Sequence, residues 1–167
     1  CYRFCGHVNR FNHNYEAALS WYKKAEEIAV NLKADFMLGK VKTNLIETYC
    51  WIDENKCLSI ANEAIEINKQ LSASIEVGKI YASIGIAHAF LKNFDSAFDN
   101  ANLAISTQED TGYLSGQLFG YNTKSIIYHV QKDVESAKKV YIKKNKIVSK
   151  IRVYKYLMYI DDFLLNK

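Results

Sequence analysis

Apolar and small side chains recur along this chain at the spacing of helix faces, and polar residues interrupt them at regular intervals. The stretch GIAHAFLKNFDSAFDNANLAI, residues 85–105, places small and bulky apolar side chains on both sides of Lys92 and Asn93. Apolar positions three and four residues apart indicate amphipathic helices. The pattern therefore predicts a helical hairpin, with a first helix over residues 74–91 and a second over residues 94–107.

The same pattern occurs again 79 residues earlier in the chain. The matched pairs are Tyr81 and Tyr2, Gly85 and Gly6, Phe90 and Phe11, Asn93 and Asn14, Phe94 and Tyr15, Ala97 and Ala18, and Ala104 and Ala25. Shifts of 39 to 40 residues relate the remaining blocks, so the period is 39 to 40 residues. A period of this length is typical of repeat proteins built from helix pairs.

The repeat divides the chain into four helix pairs and a last helix within a single domain, residues 1–167. We expect the pairs over residues 1–34, 35–73, 74–110 and 111–150, and a capping or connecting helix over residues 151–167. The break inside each pair carries an N-cap residue, whose side-chain oxygen can accept from amides of the next helix. The four residues are Asn14, Asp53, Asn93 and Asp133.

Small residues mark the predicted contacts between helices. Gly85 and Ala97 lie where the two helices of a pair are expected to cross, and Ala104 where the next pair packs. Without large side chains the helix axes can approach to the short end of the usual range of about 8–10 Å. The glycine and alanines are therefore interpreted as close-packing positions.

These features resemble the tetratricopeptide (TPR) repeat, whose motif spaces bulky, small and aromatic residues in a fixed order. The third pair supplies Tyr81, Gly85, His88, Phe94, Ala97, Ala101 and Ala104, and the first supplies Tyr2, Gly6, Tyr15, Ala18, Tyr22 and Ala25. The helix-ending proline of the family is missing, and the period exceeds the usual length of about 34 residues. The resemblance implies an all-α fold: a right-handed α-solenoid of antiparallel helix pairs, as in the longer TPR variants of bacterial regulators.

The resemblance also implies which residues would meet a ligand, because the first helix of each TPR unit lines the concave groove. Carried onto this sequence, the family's ligand-facing positions give Arg3, His7, Arg10, Phe11, Lys40, Thr43, Asn44, Glu47, Trp51, Lys79, Ser83, Ile86, Asn122, Thr123 and Ile126. Amides and hydroxyls could serve a peptide backbone, and the aromatic and aliphatic residues could hold its side chains. We therefore expect a protein- or peptide-binding module, the sensory or regulatory part of a bacterial signalling or transcription-regulatory protein.

Composition supports a helical protein without an enzyme site. Proline is absent and there are 7 glycines, which leaves few residues for turns between strands. The chain starts with Cys1, lacks a signal-like segment and has no apolar run of membrane-spanning length, so we expect a cytoplasmic excerpt of a longer protein with no membrane contact. No nucleophile–base pair, phosphate loop or paired-carboxylate motif occurs, and no cofactor is expected.

The four cysteines are interpreted as buried structural thiols. Cys1 and Cys5 with His7 could form part of a zinc site, but the spacing differs from that of zinc knuckles and a second ligand pair is missing. The expected outcome is reduced cysteines and no bound metal.

Charge is distributed unevenly along the chain, and two alternative functions follow from its last third. Residues 119–167 hold 11 lysines and arginines against 4 acidic residues, whereas residues 1–118 hold more acidic than basic residues. Within the basic part, Lys139, Lys143, Lys146 and Lys150 form one helix stripe. The stripe is interpreted either as a solvated face or as a contact for an acidic partner. A basic surface that contacts nucleic acid is a further alternative, but no DNA-binding motif accompanies the stripe. The apolar last helix raises the further alternative of a scaffold that homodimerises through it.

Overall fold

The computed structural model describes residues 1–109 and 113–151 and is entirely helical over these ranges. The helices are α1 (Tyr2–Phe11), α2 (Tyr15–Asn31), α3 (Asp35–Tyr49), α4 (Glu54–Gln70), α5 (Ser74–Phe90), α6 (Phe94–Glu109), α7 (Leu114–Val130) and α8 (Val134–Ile151). The predicted hairpin over residues 74–107 is therefore confirmed to within two residues at each end. The predicted cap over residues 151–167 lies outside the described residues beyond Ile151.

Helices contact their neighbours in the chain, as expected for a helical repeat. Each helix packs on the next one, and α5 also packs directly on α3 and α7. The first helices α3, α5 and α7 thus lie side by side, with the second helices packed against them. No helix in the described ranges is long and apolar enough to cross a membrane. The right-handed solenoid remains a prediction.

The turns between helices use left-handed backbone at residues other than glycine. His13, Lys33, Ser72, Lys92 and Lys132 have φ between 50° and 61°. At Lys92, the amide of Asn93 donates to His88 O (2.9 Å) and the amide of Lys92 to Ala89 O (3.0 Å). This pair of bonds satisfies the last carbonyls of α5 in the Schellman arrangement. The left-handed residue costs about 1 kcal/mol when it is not glycine.

Glycine is used instead inside the helices, where neighbouring helices approach closely. A Cβ on Gly85 would lie 3.1 Å from the carbonyl oxygen of Ala97 on α6 and 2.7 Å from Thr123 Cγ2 on α7. A Cβ on Gly120 of α7 would lie 2.6 Å from the carbonyl oxygen of Ala101. The predicted crossing of the two helices at Gly85 and Ala97 is confirmed.

Two of the predicted N-caps form their side-chain bonds and one does not. Asp53 Oδ1 accepts from the amide of Lys56 (2.9 Å), and Asp133 Oδ1 accepts from the amide of Ser136 (3.0 Å). Asn14 precedes α2 but makes no side-chain cap bond. Its φ of −84° differs from the −156° of Asp53, so the two side chains start in different directions. Asn14 therefore occupies the predicted N-cap position, but the predicted side-chain bond is not formed.

Buried amides join α4 and α6 to the first helices. Asn68 Nδ2 donates to Gly39 O (3.2 Å) on α3 and to Ala64 O (2.8 Å) on its own helix. At the equivalent position of the next pair, Gln108 Nε2 donates to Ser74 O (2.6 Å) at the start of α5. Both side chains are buried, so these bonds form in a site shielded from water and fix the register between helices.

Candidate functional site

The predicted groove residues lie on the first helices α1, α3, α5 and α7, with Trp51 just after α3. We call the side of the molecule formed by these helices the inner face. On it, the structure brings six polar residues from three different helix pairs into one group. This polar cluster consists of Arg3, His7, Arg10, Asn44, Glu47 and Lys79.

An ion pair between α1 and α3 forms the centre of the polar cluster. Arg10 Nη2 lies 3.8 Å from Glu47 Oε2, and Asn44 Nδ2 donates to the same oxygen (3.1 Å). The Arg10 and Glu47 side chains are 23% and 14% exposed, so the pair is mostly shielded from water. Burial raises the pKa of Glu47, but Arg10, Lys79 and the Asn44 bond together outweigh it and hold that pKa below its usual value. Glu47 is therefore ionised at neutral pH.

His7 links the polar cluster to the second helix of the first pair. Arg3 Nη1 lies 3.0 Å from His7 Nε2, and Tyr22 Oη lies 3.2 Å from His7 Nδ1. Because a guanidinium can only donate, Nε2 accepts, which assigns the ring proton to Nδ1 and a bond from it to Tyr22 Oη. Burial, then Arg10 and Arg3, lower the pKa of His7 to about 4. Both ring nitrogens therefore have hydrogen-bond partners, and no group of three possible metal ligands occurs among the described residues.

Lys79 brings a third cation to the polar cluster from α5. Its Nζ lies 3.4 Å from Glu76 Oε2 and 5.6 Å from the centre of the Phe119 ring. Its charge also contributes to the lowered pKa of both Glu47 and His7. Three cations, Arg3, Arg10 and Lys79, therefore face two carboxylates, and the polar cluster keeps a positive charge while His7 is neutral.

Aromatic side chains line the end of the inner face where the first helices end. Phe11, Trp51 and Phe90 occupy equivalent positions in the first three pairs. The Trp51 and Phe90 rings lie 5.8 Å apart between centroids, and Phe11 is 74% exposed. We call these three residues the aromatic ridge. Lys40 stands apart, with its Nζ 4.3 Å from the Phe36 ring centre.

Several residues predicted to meet a ligand are buried between helices instead. The hydroxyls of Thr43, Ser83 and Thr123 donate to the carbonyls of Gly39 (2.9 Å), Lys79 (3.0 Å) and Ala82 (3.1 Å). Asn122 Oδ1 accepts from the buried Lys144 Nζ (3.2 Å), and Ile86 and Ile126 belong to the apolar core. α5 packs directly on both α3 and α7, and this closes these positions to a ligand. We correct the expectation for all six residues and leave them out of the site. Asn44 is buried as well, at 2% exposed, and belongs to the polar cluster through its bond to Glu47.

Sequence reasoning missed two residues that support the polar cluster. Tyr22 is a buried aromatic residue of α2, yet its hydroxyl orients His7. Glu76 partly neutralises Lys79, and only its spacing of three residues from that lysine could have indicated it.

The cysteines are reduced, and two of the four are buried as expected. Cys50 and Cys57 are buried, Cys5 is half-buried and Cys1 is exposed. Burial, with smaller effects from Glu54 and Asp53, raises the pKa of Cys57 to about 12, and burial also raises that of Cys50. Both thiols stay protonated and unreactive at neutral pH. The interpretation as a buried thiol is wrong for Cys1.

The lowered pKa of His7 predicts a loss of stability in mild acid. Between the ordinary pKa of 6.5 and the folded value of about 4, the unfolded chain binds a proton that the folded chain does not, so stability falls as pH falls. For this half-buried ring, we expect His7 to account for a loss of about 1 kcal/mol in the free energy of unfolding between about pH 7 and pH 5. Urea unfolding at both pH values should show that His7→Gln lacks this pH-dependent loss of stability. The control His129→Gln changes an exposed histidine and should retain the loss. If the stability of His7→Gln depended on pH in the same way as that of the unchanged protein, the lowered pKa of His7 would be contradicted.

Comparison with solved structures finds a protein of similar fold, the crystal structure of BtubC (BKLC) from P. vanneervenii. The TM-score is 0.66 at 15% sequence identity. The match covers 92% of this chain and 64% of BtubC, so this chain spans less than two thirds of the length of that protein. No family model and no curated protein matches the chain. At this identity the likeness shows an all-helical fold and nothing about activity.

Proposed function

We propose that this chain is a binding module of TPR type that holds an extended peptide segment against its inner face. In this proposal the module is cytoplasmic, has no catalytic role and forms the sensory or regulatory part of a bacterial signalling or transcription-regulatory protein. The polar cluster binds charged and polar groups of the segment, and the aromatic ridge contacts its apolar side chains.

The observation that carries this proposal is the convergence of charged side chains from three helix pairs at one place. At the positions equivalent to His7 and Arg10, the third pair has Ile86 and Ala89, which pack in the core. Apolar residues therefore satisfy the fold at these positions. A partly buried group of charges is often no more stable than apolar residues of similar size, so its presence favours a role in binding.

The polar cluster also contains a donor and an acceptor that lack hydrogen-bond partners. Within the described ranges, Arg10 Nε and Asn44 Oδ1 are buried and have no partner. One is a donor and the other an acceptor, which is the combination that a peptide group complements. Buried polar groups are usually bonded, so this unpaired donor and acceptor support a ligand that the Arg10 and Asn44 side chains reach by moving toward it.

Selection of extended peptides on the chain, followed by affinity measurement on variants, tests the proposal. We expect peptides selected by phage display on the unchanged protein to lose about tenfold or more in affinity for Arg3→Gln/Lys79→Gln, because charge-assisted bonds are lost. Phe11→Ser/Phe90→Ser should weaken the same peptides by about the same factor, since each removes an aromatic contact. Fluorescence anisotropy with the labelled peptide measures both.

The matched control removes two cations that lie away from the inner face. Lys23→Gln/Lys24→Gln changes exposed residues of α2 and should leave the affinity unchanged. Equal thermal unfolding of all three double variants would show that the fold is intact. Selected peptides that bind the Arg3→Gln/Lys79→Gln variant as tightly as the unchanged protein would overturn the proposal.

A further inference from the structure

The last two described helices carry lysines with almost no carboxylates beside them. Neither α7 nor the part of α8 from Ser136 onward contains aspartate or glutamate. The two carboxylates between these segments have local roles, because Asp133 accepts from the amide of Ser136 (3.0 Å) and Glu135 pairs with Lys138 (3.1 Å). The positive charge further along α8 has no such partner on its own helix.

Four residues of α8 form an exposed stripe that we call the lysine surface: Lys139, Ile142, Lys143 and Lys146. The three lysines are exposed and lie at helical spacing on one side of α8. Ile142 lies between them and is 56% exposed. Lys144 takes no part, since it is fully buried and donates to Asn122 Oδ1.

Neighbouring charges from the adjoining helices leave the lysine surface positive. Lys143 Nζ lies 5.1 Å from the ring centre of Tyr121 on α7. A fourth cation, Lys124 of α7, lies near Lys143. Burial and then the charge of Lys143 lower the pKa of Lys124, whereas Glu109 of α6 raises it. Lys139 is partly compensated by Asp133, since its charge helps to lower the pKa of that carboxyl. Lys143 and Lys146 therefore carry the uncompensated charge.

We propose that the lysine surface binds an acidic protein helix that places an apolar side chain on Ile142. An apolar centre with a charged rim is the usual composition of a protein interface. The stripe from Lys139 to Lys146 extends over about 10 Å at the helical rise of 1.5 Å per residue. Glutamates three to four residues apart on a partner helix match this spacing and can meet all three lysines.

The side chains on this stripe favour a protein over other polyanions. Phosphate groups of nucleic acid offer nothing apolar to Ile142, and the stripe has no arginine to contact base edges and no aromatic ring to stack on them. A membrane surface requires a broad apolar face on the helix, and a single isoleucine does not provide one. This site is separate from the inner face and does not depend on the proposed function.

The test uses a defined probe, a synthetic helical peptide with glutamates at this spacing around one leucine. We expect binding at about 50 mM salt and a loss of about tenfold or more in affinity at about 300 mM, because exposed charge pairs are screened. Lys139→Gln/Lys143→Gln/Lys146→Gln should abolish binding. Ile142→Ser keeps every charge and should weaken binding about fivefold, since only an apolar contact is lost.

Two controls locate the binding and identify its chemistry. Lys23→Gln/Lys24→Gln/Lys33→Gln removes the same charge from exposed positions elsewhere and should bind the peptide unchanged, as should the inner-face variant Arg3→Gln/Lys79→Gln. A loss of binding in that inner-face variant would place the peptide in the groove and overturn the proposal. Absence of binding at low salt would also overturn it, as would duplex DNA or phosphatidylserine vesicles that bind as tightly as the peptide and do not respond to Ile142→Ser.

Discussion

Replacing Gly120 by leucine is expected to disrupt the contact between α6 and α7 and to lower the free energy of unfolding by about 3–4 kcal/mol. A Cβ at this position would lie 2.6 Å from the carbonyl oxygen of Ala101 and 3.0 Å from the amide nitrogen of Ile105. Both atoms belong to the backbone of α6, so no rotation of a side chain can make room. The helices must move apart, and the apolar contacts beside the glycine are lost with the movement.

A graded series separates this clash from other effects of the substitution. Gly120→Ala should cost less, about 1–2 kcal/mol, because alanine gains about 1 kcal/mol of helix propensity against the clash. Ser20→Leu adds a leucine at an exposed position of α2 and should leave stability nearly unchanged. Urea unfolding measures the free energy of unfolding of all three variants, provided that its dependence on urea concentration has the same slope in each. A Gly120→Leu protein as stable as the unchanged one would show that α6 and α7 are not closely packed there.

Replacing Arg10 by methionine is expected to cost about 2–3 kcal/mol at neutral pH, because it leaves the buried Glu47 carboxylate without its main partner. In the unchanged protein the pKa of Glu47 lies below the ordinary glutamate value of 4.5. The ionised carboxylate therefore contributes its full stabilisation above pH 4.5, and this stabilisation is lost as pH falls through the lowered pKa. Without Arg10, the largest lowering effect on that pKa is lost, whereas the raising effect of burial remains. The stability difference between the two proteins should therefore shrink as pH falls from about 7 toward 5.

A double-mutant cycle isolates the ion pair from the packing of its side chains. The variant Arg10→Met/Glu47→Gln removes both charges and should recover most of the stability lost in Arg10→Met. Urea unfolding at two pH values, together with an NMR titration of the Glu47 carboxyl, measures the coupling. Additive effects of the two substitutions would contradict a direct interaction between them.

The helical repeat could be predicted from the sequence because its signals are local and recur. Small residues such as Gly85 and Ala97 recur at a fixed period, and the close approach of two helices is a direct physical requirement for them. The turns could not be predicted in the same way. Lys92 adopts a left-handed backbone that sequence rules assign to glycine, and the two hydrogen bonds that stabilise it depend on the helix before it.

The candidate site was predicted only in part, because polarity alone does not show whether a position is open. Thr43 and Ser83 satisfy their hydroxyls on the carbonyl four residues earlier in their own helix, so they can be buried at small cost. The charged group of Arg10 cannot do this and needs a partner from another helix. All the long charged residues of the predicted groove except Lys40 therefore belong to the polar cluster, whereas the short hydroxyl residues are part of the packing between helices.

The contacts of each helix with its neighbours in the chain also bear on how the protein folds and how it responds to force. Most contacts join residues close in sequence, and chains of this kind fold quickly because little loop entropy is lost before contacts form. In the predicted solenoid, a pull on the two ends would load the pairs in series and not across a shared sheet. Such a molecule should lengthen one helix pair at a time and recover each pair separately, so that it behaves as a soft spring.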